Sequence, residues 1–230
     1  MLLATRPHNL ADTVYDQLKS ELFEFHLLPG DRFTEAEIAS RTGASRTPVR
    51  EALFRLEREG FLRVSSRSGW EVLPLDFKQL AALYEVRMLL EQASVRRMKT
   101  LTPQELNATL VPLEAIWQVH LSARSIDATE VSIWDEAFHC SLVTASKNTE
   151  FVRIHQEVTE RLRIVRRLDF TQSSRITATY KDHCAILVSL RQREFETVAE
   201  QLATHIEASQ AQTQQITLLR LQNARTGIES

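Results

Sequence analysis

The chain has 230 residues, with 28 Lys and Arg against 30 Asp and Glu, a formal net charge of −2, and 43% hydrophobic residues. That length leaves room for about two ordinary domains with packed cores. No stretch approaches the roughly 18 uninterrupted apolar residues of a membrane span, and Met1 to Asn9 has no long apolar core, so no membrane partner and a cytoplasmic location are expected.

The first expected element is an amphipathic helix from Asp12 to Phe25, with Val14, Leu18 and Leu22 inward. A short helix over Glu35 to Thr42 follows, with Thr34 as its cap and Ile38 and Ala39 inward. A Gly43-Ala44 turn leads to a third helix opening at Ser45, whose hydroxyl is expected to accept from the first-turn N–H groups. Pro48 fits inside that first turn, where its missing N–H has no intrahelical partner in any case. Val49, Leu53 and Leu56 form the apolar back, while Arg46, Thr47 and Arg50 share another face. Gly60 stops the helix, and Phe61 to Val64 and Trp70 to Leu73 read as two strands around Ser65-Ser66-Arg67-Ser68-Gly69, a hairpin wing.

From Arg41 to Ser68 seven arginines face three acids, a local balance of +4 inside a mildly acidic chain. A short helix opening with guanidiniums and hydroxyls suits the DNA major groove, and the basic segment suits phosphate contact. The plain alternative is a surface helix whose arginines are merely solvated.

The phrases Leu28-Pro29-Gly30-Asp31-Arg32-Phe33, Glu37-Ile38-Ala39, Ser45 to Leu53 and Leu56 to Gly60 resemble the winged helix-turn-helix of the GntR family of bacterial transcription regulators. The resemblance implies that Arg46 and Arg50 read bases or adjacent phosphates, that Ser45 and Thr47 hold phosphates, and that Gly69 lets the wing tip approach the minor groove; Arg67, the one arginine on that tip, is a further DNA-contact candidate. Some relatives carry a further DNA-contacting arginine where this chain has Ala36.

Pro74 marks the expected boundary, giving a winged-helix domain over 1–75 and an all-α domain over 76–230. Beyond Asp76 strand signals vanish, and helical patterns follow at about 76–99, 102–125, 128–146, 149–169, 172–191 and 194–223. Thr102-Pro103 opens the second of these, and Pro112 inside it is expected to kink it. Asn148 or Thr149 is expected to cap the fourth. The fold class is therefore mainly α: a helix-turn-helix with a small β wing, then a helical bundle.

Asp135 and His139 are four residues apart and share a helical face with Val131, Phe138 and Leu142. His183 and His205 lie on later helices among apolar neighbours, and polar groups aimed into a core are costly unless something satisfies them. A divalent metal would do so; ordinary hydrogen-bonded core histidines are the alternative, adopted for His8, His26, His120 and His155. Arg87, mid-face among Leu80, Leu83, Tyr84 and Leu90, either pairs with Glu91 one turn on or meets the carboxylate of a small metabolite. Arg163 and Arg166 are weaker anion candidates, expected to be solvated because their helix is arginine-rich all round. Tyr84, Trp134 and Tyr180 are candidate cavity walls. Cys140 and Cys184 follow the candidate ligand histidines His139 and His183 but point about 100° away, so they read as reduced, packed thiols.

Asp135-x-x-Phe138-His139, Asp182-His183-Cys184-Ala185-Ile186 and His205, 22 residues after His183, resemble the FCD effector-binding domain of the FadR-type branch of the same family. That resemblance implies a metal held by Asp135, His139, His183 and His205 (zinc first, with nickel, manganese or iron as other options) and an effector carboxylate at Arg87; Tyr84 and Arg163, read from the residues themselves, are the further effector-site candidates. Asp182 stands where many relatives have Glu and, as a non-ligand, is expected to matter little. The implied protein is a homodimeric regulator, a repressor, that reads a pseudo-palindromic double-stranded operator and is released by a small organic acid; it is not an enzyme. Two rivals remain at this point: a purely structural metal with an acyl thioester as effector, and a metal-dependent hydrolase.

Overall fold

The computed structural model describes residues 9–23, 26–65 and 69–226, and the chain divides into two compact units, Met1–Asp76 and Phe77–Ser230. The first unit contains α1 (Leu10–Phe23), β1 (Arg32–Phe33), α2 (Glu35–Thr42), α3 (Arg46–Arg58), β2 (Leu62–Ser65) and β3 (Gly69–Val72). The helix α1 starts earlier than the expected Asp12 because Asn9 caps it: its Oδ1 accepts from the Asp12 N–H at 2.8 Å, while the Asp12 carboxylate accepts from the Asn9 N–H. The expected end of that helix, Phe25, lies outside the described residues. Val14, Leu18 and Leu22 pack with Ile38, Val49, Leu53 and Leu56 to form this unit's core.

A full capping box between Thr34 and Glu37 opens α2, and Gly43 closes it in the left-handed conformation at φ 67°. Ser45 stands at the N-cap of α3 with extended backbone, but its side chain makes no capping hydrogen bond, contrary to expectation. The reason is Pro48: it occupies the third helical position, where a capping hydroxyl would look for an N–H that proline lacks. The hydroxyl is left exposed.

The sheet has the order β1-β3-β2, both pairings antiparallel. The hairpin strands are shifted by a residue from their expected bounds, with Val64 opposite Trp70. Two-residue β1 was not expected, being too short to show a period; Phe33 pairs with Trp70. A Cβ on Gly69 would lie 2.9 Å from the Phe33 carbonyl oxygen, so glycine there permits the close approach of β1.

The second unit is helical: α4 (Phe77–Arg97), α5 (Pro103–Trp117), α6 (Ala128–Ala145), α7 (Thr149–Asp169), α8 (Ser173–Arg191) and α9 (Phe195–Thr226). A Thr102–Glu105 capping box starts α5, which runs on through Pro112 and ends at Trp117 rather than near 125. Beyond it the His120 ring accepts from the Ser122 N–H in a short 3-10 turn, and Asp127 then caps α6. Asn148 Oδ1 accepts from the N–H groups of Glu150 and Phe151, so Asn148 is the cap of α7. Val95, Leu110, Trp117, Phe138, Leu142, Tyr180, Leu187 and Leu202 belong to the apolar core that walls the bundle's polar centre. Among the described residues, no helix is long and apolar enough to cross a membrane.

Candidate metal centre and nucleic-acid interface

One turn of α6 separates Asp135 from His139, so both project from the buried face of that helix; His183 enters from α8 and His205 from α9. Asp135 Oδ1 lies 3.5 Å from His139 Nε2, 3.3 Å from His183 Nε2 and 3.9 Å from His205 Nε2. One donor atom from each of the four side chains falls within 4.8 Å of all the others. Asp135 Oδ1, His139 Nε2 and both ring nitrogens of His183 are buried without a hydrogen-bond partner. Each such orphan costs about 1–3 kcal/mol, and a single cation at the convergence of Asp135 Oδ1, His139 Nε2 and His183 Nε2 would satisfy those three together, leaving only His183 Nδ1 on the aromatic side. One carboxylate oxygen and three imidazole nitrogens fit zinc, nickel, manganese or iron(II).

The surroundings fix which nitrogen faces inward. His139 Nδ1 lies 2.6 Å from Glu91 Oε2, and a carboxylate only accepts, so Nδ1 carries the proton and Nε2 offers its lone pair. His205 Nδ1 lies 3.0 Å from Asp182 Oδ2, with the same consequence. Asp182 therefore does matter, as the group that orients a candidate ligand. His183 has no such polar support; its ring stacks on Phe138 with centroids 3.8 Å apart and meets the Trp117 ring edge-on at 4.3 Å. An aromatic slot holds it in place of a hydrogen bond.

Burial alone would push the Asp135 carboxyl up, but Arg166, His139 and His183 outweigh it and hold Asp135 well below the usual carboxylate range. Burial pushes His183 well below the ordinary imidazole value, and it takes His205 down to about 4, so both are neutral at pH 7. Neutral imidazole is the form that binds a metal.

Behind these donors lies a second tier. Glu91, fully buried, accepts from Arg87 Nε at 2.8 Å and His155 Nε2 at 3.0 Å as well as from His139. Burial raises the Glu91 pKa, yet His139, Arg87 and His155 together keep it well below its ordinary value. Arg87 thus pairs with Glu91, while its Nη2 remains buried without a partner. Tyr84 is buried, with its hydroxyl 3.4 Å from Thr213 Oγ1. Arg163 is half-buried and bidentate to Glu136 at 2.9 and 2.7 Å, beside a cavity of about 160 Å³ also lined by Ser132, Arg166 and Arg167. Arg166 is not solvated as expected: it is buried and donates to Asp135 Oδ2 at 2.5 Å. Its place four residues after Leu162, on the inner face of α7, was the available signal. Arg175, which carried no expectation, is buried between Asp169 and His205. Trp134 packs against the core partly buried, and both cysteines are free thiols.

In the first unit, Ser45, Arg46, Thr47 and Arg50 are exposed together at the start of α3. Arg46 has no ion-pair partner among the described residues, whereas Arg50 is bidentate to Glu35 in the first turn of α2, at 2.8 and 2.7 Å. Ala36, also exposed, offers no donor of its own beside them. Arg67 lies outside the described residues, and Gly69 serves the β1–β3 approach.

The family profile for bacterial regulatory proteins, gntR family, matches residues 10–72, and the FCD domain profile matches residues 82–208. The Nta operon transcriptional regulator of Aminobacter aminovorans is 35% identical over 184 residues, covering 80% of this chain and 84% of that protein. The solved structure of McbR/YncC from E. coli superposes with a TM-score of 0.66 at 23% identity, covering 90% of this chain and 98% of that one. The metal-free FCD domain of TM0439 superposes with a TM-score of 0.50 at 17% identity, covering 64% of this chain and 99% of that one.

Proposed function

Because the chain belongs to the gntR family of bacterial DNA-binding transcriptional regulators and carries an FCD domain, we propose that its helical unit is a metal-dependent sensor of a small carboxylate. Asp135, His139, His183 and His205 hold the divalent metal, zinc by preference. The observation that carries this reading is the convergence of four buried donors, three of whose inward atoms have no other partner. When bound, the metal supplies a Lewis-acidic centre to which a carboxylate oxygen can attach.

The charge balance favours an acid as effector. Arg87 with Glu91, Arg166 with Asp135 and Arg175 with Asp169 form three neutral buried pairs. A dication added to that set leaves buried positive charge that an organic anion offsets. The unpartnered Arg87 Nη2 supplies a donor for the anion, with Tyr84 and Arg163 as further contacts.

The DNA-reading surface is Ser45, Arg46, Thr47 and Arg50, with Arg67 and Gly69 on the wing. A two-fold homodimer in the cytoplasm sets two such heads on the half-sites of a pseudo-palindromic operator, and the protein acts as a repressor. Acid binding favours one arrangement of the bundle and releases the DNA, which requires unequal acid affinity for the two arrangements. The test uses the full chain and a duplex selected from a random pool. Chelator-stripped protein takes up one Zn(II) per chain, His183→Asn abolishes the uptake, and an acid found by screening Zn-loaded protein weakens duplex binding. Failure of the stripped protein to take up Zn(II) or another divalent metal rejects the sensor reading; tighter binding with acid reverses its sign.

A further inference from the structure

Arg175, in the first turn of α8, is buried and anchored by Asp169, with its Nε 2.9 Å from Asp169 Oδ2. Ser209 holds the same Oδ2 with a 3.0 Å hydrogen bond. The other end of the guanidinium is aimed at the donor cluster: Nη2 lies 3.5 Å from His205 Nε2. A guanidinium only donates, and Asp182 occupies the other ring nitrogen, so this contact is an N–H aimed into the His205 Nε2 lone pair. That is the lone pair a metal would need. One lone pair cannot serve both, and a fixed positive charge beside it opposes a dication as well. The neighbouring guanidiniums stand differently, since Arg87 faces Glu91 and Arg166 faces the outer oxygen of Asp135.

We propose that Arg175 is an internal competitor for the metal, which covers His205 until a carboxylate arrives to accept the guanidinium instead. The inference rests on the metal-centre reading above and adds its regulation: metal and acid bind synergistically, because the acid removes the group that opposes the metal. Without the acid the site is weak, so metal occupancy itself reports the metabolite.

The experiment measures Zn(II) affinity of the chelator-stripped full chain by competition with a chromophoric chelator, with and without acetate as the probe anion. Wild type is compared with Arg175→Met and with Arg175→Met/Asp169→Asn, the double variant removing both charges of the pair so that no buried carboxylate is left alone. Folding is checked by circular-dichroism melting. Both variants are expected to bind Zn(II) about tenfold more tightly than wild type in buffer alone. Acetate is expected to tighten Zn(II) binding more in wild type than in the variants, where only its attachment to the metal remains. A generally damaged site would lose affinity, so a gain cannot come from misfolding. Folded variants that bind Zn(II) no more tightly than a Zn-binding wild type overturn the Arg175 role alone, as does an acetate effect equal in all three proteins. Binding by the variants but not by wild type supports it. Absence of binding by every protein overturns the metal centre and this inference together.

Discussion

Glu91 Oε2 lies 2.6 Å from His139 Nδ1, and neither side chain touches solvent. Glu91 joins three helices through one carboxylate, since Arg87 lies on its own helix α4, His139 on α6 and His155 on α7. Replacing it with glutamine keeps the shape but leaves the Arg87 cation without a counter-charge. Glu91→Gln is expected to weaken metal binding about 10–100-fold, the usual cost of losing an outer-shell orienting group. It is also expected to destabilise the metal-free protein by about 3–5 kcal/mol. Chelator competition and denaturant melts measure the two effects; unchanged metal affinity would mean that the His139 tautomer is set elsewhere.

Asp135 has two duties that a pair of variants can separate. Its Oδ1 faces the three histidines while its Oδ2 accepts from Arg166. Asp135→Asn should lose the metal and destabilise the protein by about 3–5 kcal/mol, because Arg166 becomes a lone buried charge. In Asp135→Asn/Arg166→Met both charges are gone, so most of that stability returns while metal binding does not. Recovery of metal binding in the double variant would remove Asp135 from the ligand set.

Much of this centre was legible before the fold. The four-residue interval from Asp135 to His139 puts both on one buried face, and the phrases around His183 and His205 resemble a known domain. Helical periodicity orders residues within one helix, however, and carries no information on which faces of different helices meet. Glu91 was legible as the i+4 partner of Arg87 but not as the partner of His139, 48 residues away. Arg166 was obscured because α7 carries arginines on several faces, and only the apolar stripe through Leu162 distinguishes the buried one. In the first unit both helices of the helix-turn-helix, the Thr34 cap and the Gly43 and Gly60 stops were readable, whereas the Ser45 side-chain cap was not, because Pro48 removes the N–H it would use. The strand β1 was not, since two residues cannot show a period.

Acid should weaken the metal-free protein. His205 titrates at about 4 in the folded chain against an ordinary value of 6.5. Between those values the unfolded chain binds a proton that the folded chain refuses, so stability is lost as pH falls from 6.5 towards 4, by about 3 kcal/mol for this one group. His183 acts in the same direction. Asp169 acts in the opposite one: burial raises it to about 6 from 3.8, so the folded chain takes up its proton first and gains stability as pH falls through that interval. Melting temperatures of the stripped protein from pH 7 to 4 should therefore fall, less steeply in His205→Gln and more steeply in Asp169→Asn. Identical slopes in all three would contradict the assignment of these protons.

The bidentate pairing of Arg50 with Glu35 changes what α3, the proposed DNA-reading helix, is expected to do. The pair holds the Glu35 carboxyl below its ordinary range, chiefly through the Arg50 hydrogen bonds, so a negative charge stays beside the guanidinium at neutral pH. Arg46, with no such partner, is the freer cation for DNA. Arg46→Ala should therefore cost about 1–3 kcal/mol of operator affinity and relax selectivity at the base pair it contacts. Glu35→Gln should do the reverse for affinity. It removes a carboxylate that repels phosphate and frees Arg50, so binding tightens at low salt and the slope of log affinity against log salt steepens by about one. Duplex titrations by fluorescence anisotropy across salt concentrations measure both. An unchanged slope in Glu35→Gln would show that Arg50 stays off the phosphates even when released, leaving Arg46 as the principal cation of the reading surface.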